Sequence, residues 1–195
     1  MIGSLLRQRL NKLLFPIGKL LSPINPNHIT LATYPLVFIA AYFIYAKSFA
    51  YALVFVFLSS IVDNLDGAVA KANNKKTDFG SYFDAFTDKV QETTLLAAFA
   101  FSGYPLEAFL AVASSLLNSY AKARAEMVRP LGNIDWPAVG ERAERVAVVF
   151  ITLFVAIFTK AVYGIDTISL GLYVLTFLAT LGVLQRFMFA KRILS

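Results

Sequence analysis

The chain has 195 residues, of which 58% are hydrophobic and only 15% charged. Its mean hydropathy of +0.65 lies far from that of soluble proteins, about a quarter of whose residues are charged, so it reads as an integral membrane protein of single-domain size. The lack of cysteine excludes a disulfide framework, a thiolate nucleophile and a thiolate-held metal; the +6 formal charge gathers at the ends of apolar runs, which suits anionic lipid headgroups and membrane orientation and argues against nucleic acid.

In chain order, residues 1–24 interleave Leu, Ile and Phe with Arg7, Arg9, Lys12 and Lys19 at helical spacing. That stretch is too charged to span a bilayer and is expected to lie at the interface as an amphipathic juxtamembrane helix. It has neither the unbroken apolar core nor the small-residue cleavage site of a signal peptide. Pro23 and Pro26 interrupt it, and Asn25–Asn27 turn the chain into the first apolar run. Hydropathy then predicts six spans of about 20 residues, roughly 28–46, 49–72, 79–102, 104–127, 141–163 and 167–190. The expected fold is therefore all-α and membrane-integral, with six transmembrane helices over 25–195 behind the N-terminal interfacial helix. There is no internal repeat, low-complexity tract or soluble domain.

Lys71, Lys75 and Lys76 separate the second and third spans, and Lys122, Arg124, Arg129, Arg142 and Arg145 cluster around the link between the fourth and fifth. The opposite connections carry only Lys47 and Lys160. Positive charge accumulates on the cytoplasmic side, so both termini and both basic links are expected there. Tyr42, Tyr45, Tyr104, Trp136 and Tyr163 fall near span ends and read as interfacial anchors, the Phe-rich runs as packing and lipid contact.

The stretch Asp63–Asp88, DNLDGAVAKANNKKTDFGSYFDAFTD, breaks the apolar pattern. Asp63 and Asp66 are three apart and Asp84 and Asp88 four apart, so each pair falls on one helix face. With Asp78 they make five carboxylates between two apolar runs, where an ionisable group is costly and marks function. The predicted topology places both pairs just inside the cytoplasmic face. Carboxylates this close cannot all stay ionised uncompensated, and a divalent cation meets the need. Hard oxygen donors select Mg²⁺, Mn²⁺ or Ca²⁺, and four Asp could hold two ions. Gly67 and Gly80 remove side chains where a ligand must approach backbone. His28, the only histidine, reads as an interfacial residue, not a ligand.

The pattern Asp63-x2-Asp66-Gly67-x2-Ala70-Lys71-x8-Gly80-x3-Asp84-x3-Asp88 resembles the signature of the CDP-alcohol phosphotransferase family of membrane enzymes. All four Asp and both Gly match in type and spacing, and the six-span layout extends the resemblance over most of the chain. One position departs: the family usually has Arg where Lys71 stands, which keeps the charge but loses the bidentate fork. The resemblance implies Mg²⁺- or Mn²⁺-dependent displacement of CMP from a CDP-lipid by an alcohol. It also implies two ions, a homodimer, and lipid entering from the membrane while nucleotide and acceptor arrive from the cytoplasm. By the same resemblance Asp63, Asp66, Asp84 and Asp88 hold metal and Asp88 is the base. Asn27, Thr30, Asp66, Gly67, Ala70, Lys71 and Gly80 line the nucleotide.

Lys122, Arg124, Arg142 and Arg145 are expected to converge near the acidic site and clamp a phosphate on the acceptor. Glu126 could neutralise Lys122, and Glu141 Arg145, as i,i+4 partners, leaving ordinary positive-inside charge as the plain alternative. The KARAE and ERAER strings resemble the family branch that makes phosphatidylinositol phosphate or its archaeal ether-lipid equivalent, favouring inositol 1-phosphate over glycerol 3-phosphate. A divalent-cation or proton-coupled transporter is the rival from another class, but its acidic residues would spread over several helices near midplane.

Overall fold

The structure, a computed structural model, describes residues 15–130, 136–137 and 139–195. Residues 15–20 are helical; 1–14, the remainder of the expected interfacial helix with Arg7, Arg9 and Lys12, lie outside the described residues. Asn25 caps the first long helix, α1 (Pro26–Tyr45), by accepting the N–H of Asn27, and Pro26 takes the first turn, where a missing N–H costs nothing. Then come α2 (Phe49–Ala72), α3 (Asp78–Phe101), α4 (Pro105–Val128), α5 (Arg142–Phe158) and α6 (Thr167–Leu194). The all-α architecture is as the sequence predicts, apart from a two-stranded ribbon. Among the described residues, α1, α2 and α6 are long and apolar enough to cross a membrane. α3 and α4 carry more charge, including the candidate site residues Asp84, Asp88, Lys122 and Arg124.

The fifth predicted span needs correction. α5 ends at Phe158 after 17 residues, and Thr159 is extended at φ −144 and ψ 136. The chain then forms β1 (Ala161–Val162) and β2 (Ile165–Asp166), antiparallel, with Val162 opposite Ile165. Tyr163 and Gly164, at φ 50 and 80, make the left-handed two-residue turn that suits the twist of a hairpin. Hydropathy runs on through 159–163, but it cannot tell helix from strand.

The described residues fall into two compact units, Met1–Ala98 and Phe99–Ser195. In the first, α1 packs along α2. Val37, Ala40 and Ile44 meet the same core as Ala52 and Val56, all essentially inaccessible. Toward the start of α1 and the end of α2 the buried positions become polar: Thr30, Thr33, Ser59, Asp63 and Asp66, with Thr87, Gln91 and Glu92 of α3. The N-terminal segment is strapped to this end of α2. A Cβ on Gly18 would stand 2.9 Å from the Ala68 carbonyl, Asn73 Nδ2 donates to Gly18 O at 2.8 Å, and Lys75 Nζ donates to Ser22 O at 2.5 Å.

In the second unit a seam of small residues on α4 (Ala108, Ala111, Ser114, Ser115, Asn118) packs against α6 at Ile168, Leu172, Leu175, Ala179 and Gly182. Small residues at helical spacing let two backbones approach closely in lipid, where dispersion replaces the hydrophobic drive. The chain before α5 packs on the same helix: Trp136 sets its ring edge-on to Phe189, and a Cβ on Gly140, at φ 68, would stand 2.5 Å from the Leu178 carbonyl.

Candidate active site

Two helices bring the acids together. The three-residue spacing on α2 turns Asp63 and Asp66 inward, with only 8% and 4% of their surface exposed, and the four-residue spacing on α3 stacks Asp84 and Asp88. One carboxylate oxygen from each of Asp63, Asp84 and Asp88 lies within 4.8 Å of the others. Asp66 lies one turn along the α2 face and is not in that trio; its Oδ2 accepts from Thr30 Oγ1 at 2.5 Å. Asp78 is exposed in the first turn of α3, where a negative charge suits the helix dipole.

Two ionised carboxylates at that separation repel by about 3 kcal/mol at an effective dielectric of about 20. A cation among the three would offset that repulsion. Their hard oxygen atoms fit Mg²⁺, Mn²⁺ or Ca²⁺, and among the described residues no sulfur or imidazole joins the group to favour a softer ion.

Around the acids runs a hydrogen-bonded layer that the motif does not contain. Gln91 Nε2 donates to Asp63 Oδ1 at 3.0 Å and to Thr33 Oγ1 at 2.9 Å, while Thr33 donates its own proton to Thr30 O at 2.6 Å. Tyr34 OH and Thr87 Oγ1 share a bond at 3.1 Å. Sequence reasoning singled out Thr30 and Asp88 but missed Thr33, Tyr34, Thr87 and Gln91. The available signal was helical spacing: Thr33 and Tyr34 follow Thr30 by three and four, and Gln91 follows Asp88 by three.

The expected nucleotide residues divide. A Cβ on Gly80 would be 3.4 Å from Asn27 Oδ1, so those two are neighbours. Gly67 opens onto free space, with nothing within 4 Å of a Cβ there. Ala70 is half-buried, and Lys71 is exposed one turn beyond Gly67; His28 is exposed too.

In the second unit the basic residues behave differently from one another. Lys122 pairs with Glu126 at 3.9 Å, as its spacing predicts, and Arg124 is exposed. Arg142 is half-buried, whereas Arg145, 2% exposed, donates from Nη1 to Gly140 O, which also accepts from Asn118 Nδ2 at 2.6 Å. Arg186, missed in the sequence, is 5% exposed; its Nη1 donates to Asn118 O at 2.6 Å and its Nη2 lies 3.8 Å from Glu141 Oε1. Its position on the α6 seam, after Leu172, Leu175, Ala179 and Gly182, separates it from the flanking charges Lys191 and Arg192. Arg186 Nε, Asn118 Oδ1 and Ser115 Oγ are buried with no hydrogen-bond partner among the described residues.

The sequence profile described as CDP-alcohol phosphatidyltransferase matches residues 23–183. An archaetidylinositol phosphate synthase of Pyrococcus horikoshii is 29% identical, covering 97% of this chain and 96% of its own length. The fold matches phosphatidylinositol phosphate synthase of Mycobacterium tuberculosis. Its structure with CDP-DAG bound gives a TM-score of 0.77 at 21% identity, over 92% of this chain and 94% of that one. Its complex with manganese and citrate gives 0.76 at 22%, over 91% and 88%. With the profile spanning the acidic helices and most of the chain, this protein belongs to the CDP-alcohol phosphatidyltransferase family and is a multi-pass membrane transferase of phospholipid biosynthesis.

Proposed function

We propose that this protein transfers the lipid-phosphate group of a CDP-linked lipid to a hydroxyl of inositol 1-phosphate and releases CMP, at the cytoplasmic face of the membrane and as a homodimer. The observation that carries the reading is the meeting of Asp63, Asp84 and Asp88 oxygens within 4.8 Å among apolar helices. Asp63, Asp66, Asp84 and Asp88 are the residues to hold Mg²⁺ or Mn²⁺, two ions in the full site. A divalent cation there neutralises pyrophosphate charge.

The chain's own residues account for the rest. Gly67 leaves room for the phosphates beside Asp66, Lys71 offers a point charge, and Asn27, Thr30, Ala70 and Gly80 flank the nucleotide. Asp88 takes the proton of the acceptor hydroxyl as that oxygen bonds to the lipid-bearing phosphorus and the bond from that phosphorus to CMP breaks. For the acceptor phosphate, Arg145 and Arg186 add to Lys122, Arg124 and Arg142. Two buried guanidiniums, with the unmatched donors Arg186 Nε and Ser115 Oγ, suit an anion better than ordinary flanking charge. The names of the relatives favour inositol phosphate; glycerol 3-phosphate offers the same two groups.

The test is CMP release by purified protein given Mg²⁺ and a CDP-lipid, with inositol 1-phosphate, glycerol 3-phosphate, free inositol or serine. Turnover is expected with inositol 1-phosphate, and Asp88→Asn should lower kcat by about 100-fold or more. Turnover with free inositol or serine alone would remove the phosphate-bearing acceptor; full activity in Asp88→Asn would remove the base.

A further inference from the structure

Gln91 is buried against the acids, 4% exposed on a helix expected to cross lipid, where an amide is costly unless its bonds are made. Its bonds tie three helices at one point: Asp63 on α2 and Thr33 on α1, from α3. The direction of each bond is determined. Thr33 spends its proton on Thr30 O at 2.6 Å, so toward Gln91 it can only accept; a carboxylate likewise only accepts. Both therefore face the amide nitrogen, one hydrogen each, and the amide cannot rotate without breaking both.

We infer that Gln91, held by Thr33, is a positioning residue that fixes the Asp63 carboxylate for a divalent cation. The inference rests on reading the acidic group as a cation site. By occupying a lone pair of Oδ1, the amide sets the plane of the carboxylate and the lone pairs left to meet Asp84 and Asp88. A neutral donor does this without cancelling charge, whereas a lysine there would compete with the cation. Partners that orient a ligand in this way commonly change metal affinity by about 10–100-fold when removed. The relay also gives the hydroxyl of Thr33, 0% exposed, a role: it accepts from Gln91 and donates to Thr30 O.

The experiment measures Mn²⁺ binding to the detergent-solubilised full-length protein by electron paramagnetic resonance of the free ion, without substrate. Gln91→Met, of similar shape, should bind Mn²⁺ about 10-fold more weakly than the parent. Thr33→Val should shift in the same direction by a smaller factor, and Thr33→Ser should bind as the parent does. In turnover, the Mn²⁺ needed for half-maximal rate should rise in the same ratio, while KM for the CDP-lipid at saturating Mn²⁺ stays put. A purely structural role would instead lower the melting temperature and leave Mn²⁺ affinity unchanged. Parent-like affinity in Gln91→Met overturns the inference; should that variant not fold, equal affinities in Thr33→Val and Thr33→Ser overturn it. A parent protein that binds no Mn²⁺ would remove the cation site itself, a different failure.

Discussion

Gly67 shows how one position separates stability from function. A Cβ there meets nothing within 4 Å and the residue lies inside a helix, so alanine fits and should stabilise α2 by about 1 kcal/mol. The same open space is where the proposed donor phosphates approach Asp66. Gly67→Ala should therefore raise the melting temperature by a few degrees while raising KM for the CDP-lipid about tenfold or more. A stabler protein with an unchanged KM would take Gly67 out of the donor site. Gly80 is a contrast: a Cβ there would sit 3.0 Å from Thr77 Oγ1, so its smallness has a packing reason even without ligand. Of the candidate residues, the aspartates were legible because carboxylates between apolar runs stand out. Gln91 and Thr33 were not, since uncharged polar groups are common in membrane helices and only their partners reveal a role.

The helices carry the second lesson. α1 looked like a plain apolar span, yet Thr30, Thr33 and Tyr34 make one polar face at helical spacing, turned to Asp66, Gln91 and Thr87. The strap at 15–24 was legible only as an amphipathic pattern; its seat on α2 was not. Because a Cβ on Gly18 would press the Ala68 carbonyl at 2.9 Å, Gly18→Val is expected to cost about 1–3 kcal/mol. The expected result is a lower melting temperature and faster proteolysis between Leu20 and Asn25. An unchanged proteolysis rate would mean that Asn73 and Lys75 hold the segment without that contact. α5 marks the limit of hydropathy. It reports apolarity, and the ribbon after Thr159 is as apolar as a helix end, so the turn at Tyr163–Gly164 decided the boundary.

For the molecule as a whole, the distribution of Lys and Arg predicts that the link at Lys75–Lys76 faces the cytoplasm and the Tyr163 turn the outside. Both sites are exposed, and the absence of native cysteine makes single-cysteine labelling clean. Tyr163→Cys should react with an impermeant maleimide in intact cells, and Lys76→Cys only after permeabilisation. The reverse pattern would invert the topology and place the proposed site outside.

The membrane environment, the all-α architecture and the aspartates with their family are legible in the chain alone, because hydropathy, charge placement and i,i+3 or i,i+4 spacing are local properties. Tertiary structure alone decided that Asp63 meets Asp84 and Asp88 while Asp66 turns to Thr30, that Gln91 joins three helices, and that Arg145 and Arg186 are buried while Arg124 is exposed. The reason is physical. A periodic pattern says which face of a helix is special, but which faces meet depends on how closely backbones pack at residues such as Gly18, Ala68, Gly140 and Gly182, far apart in the chain.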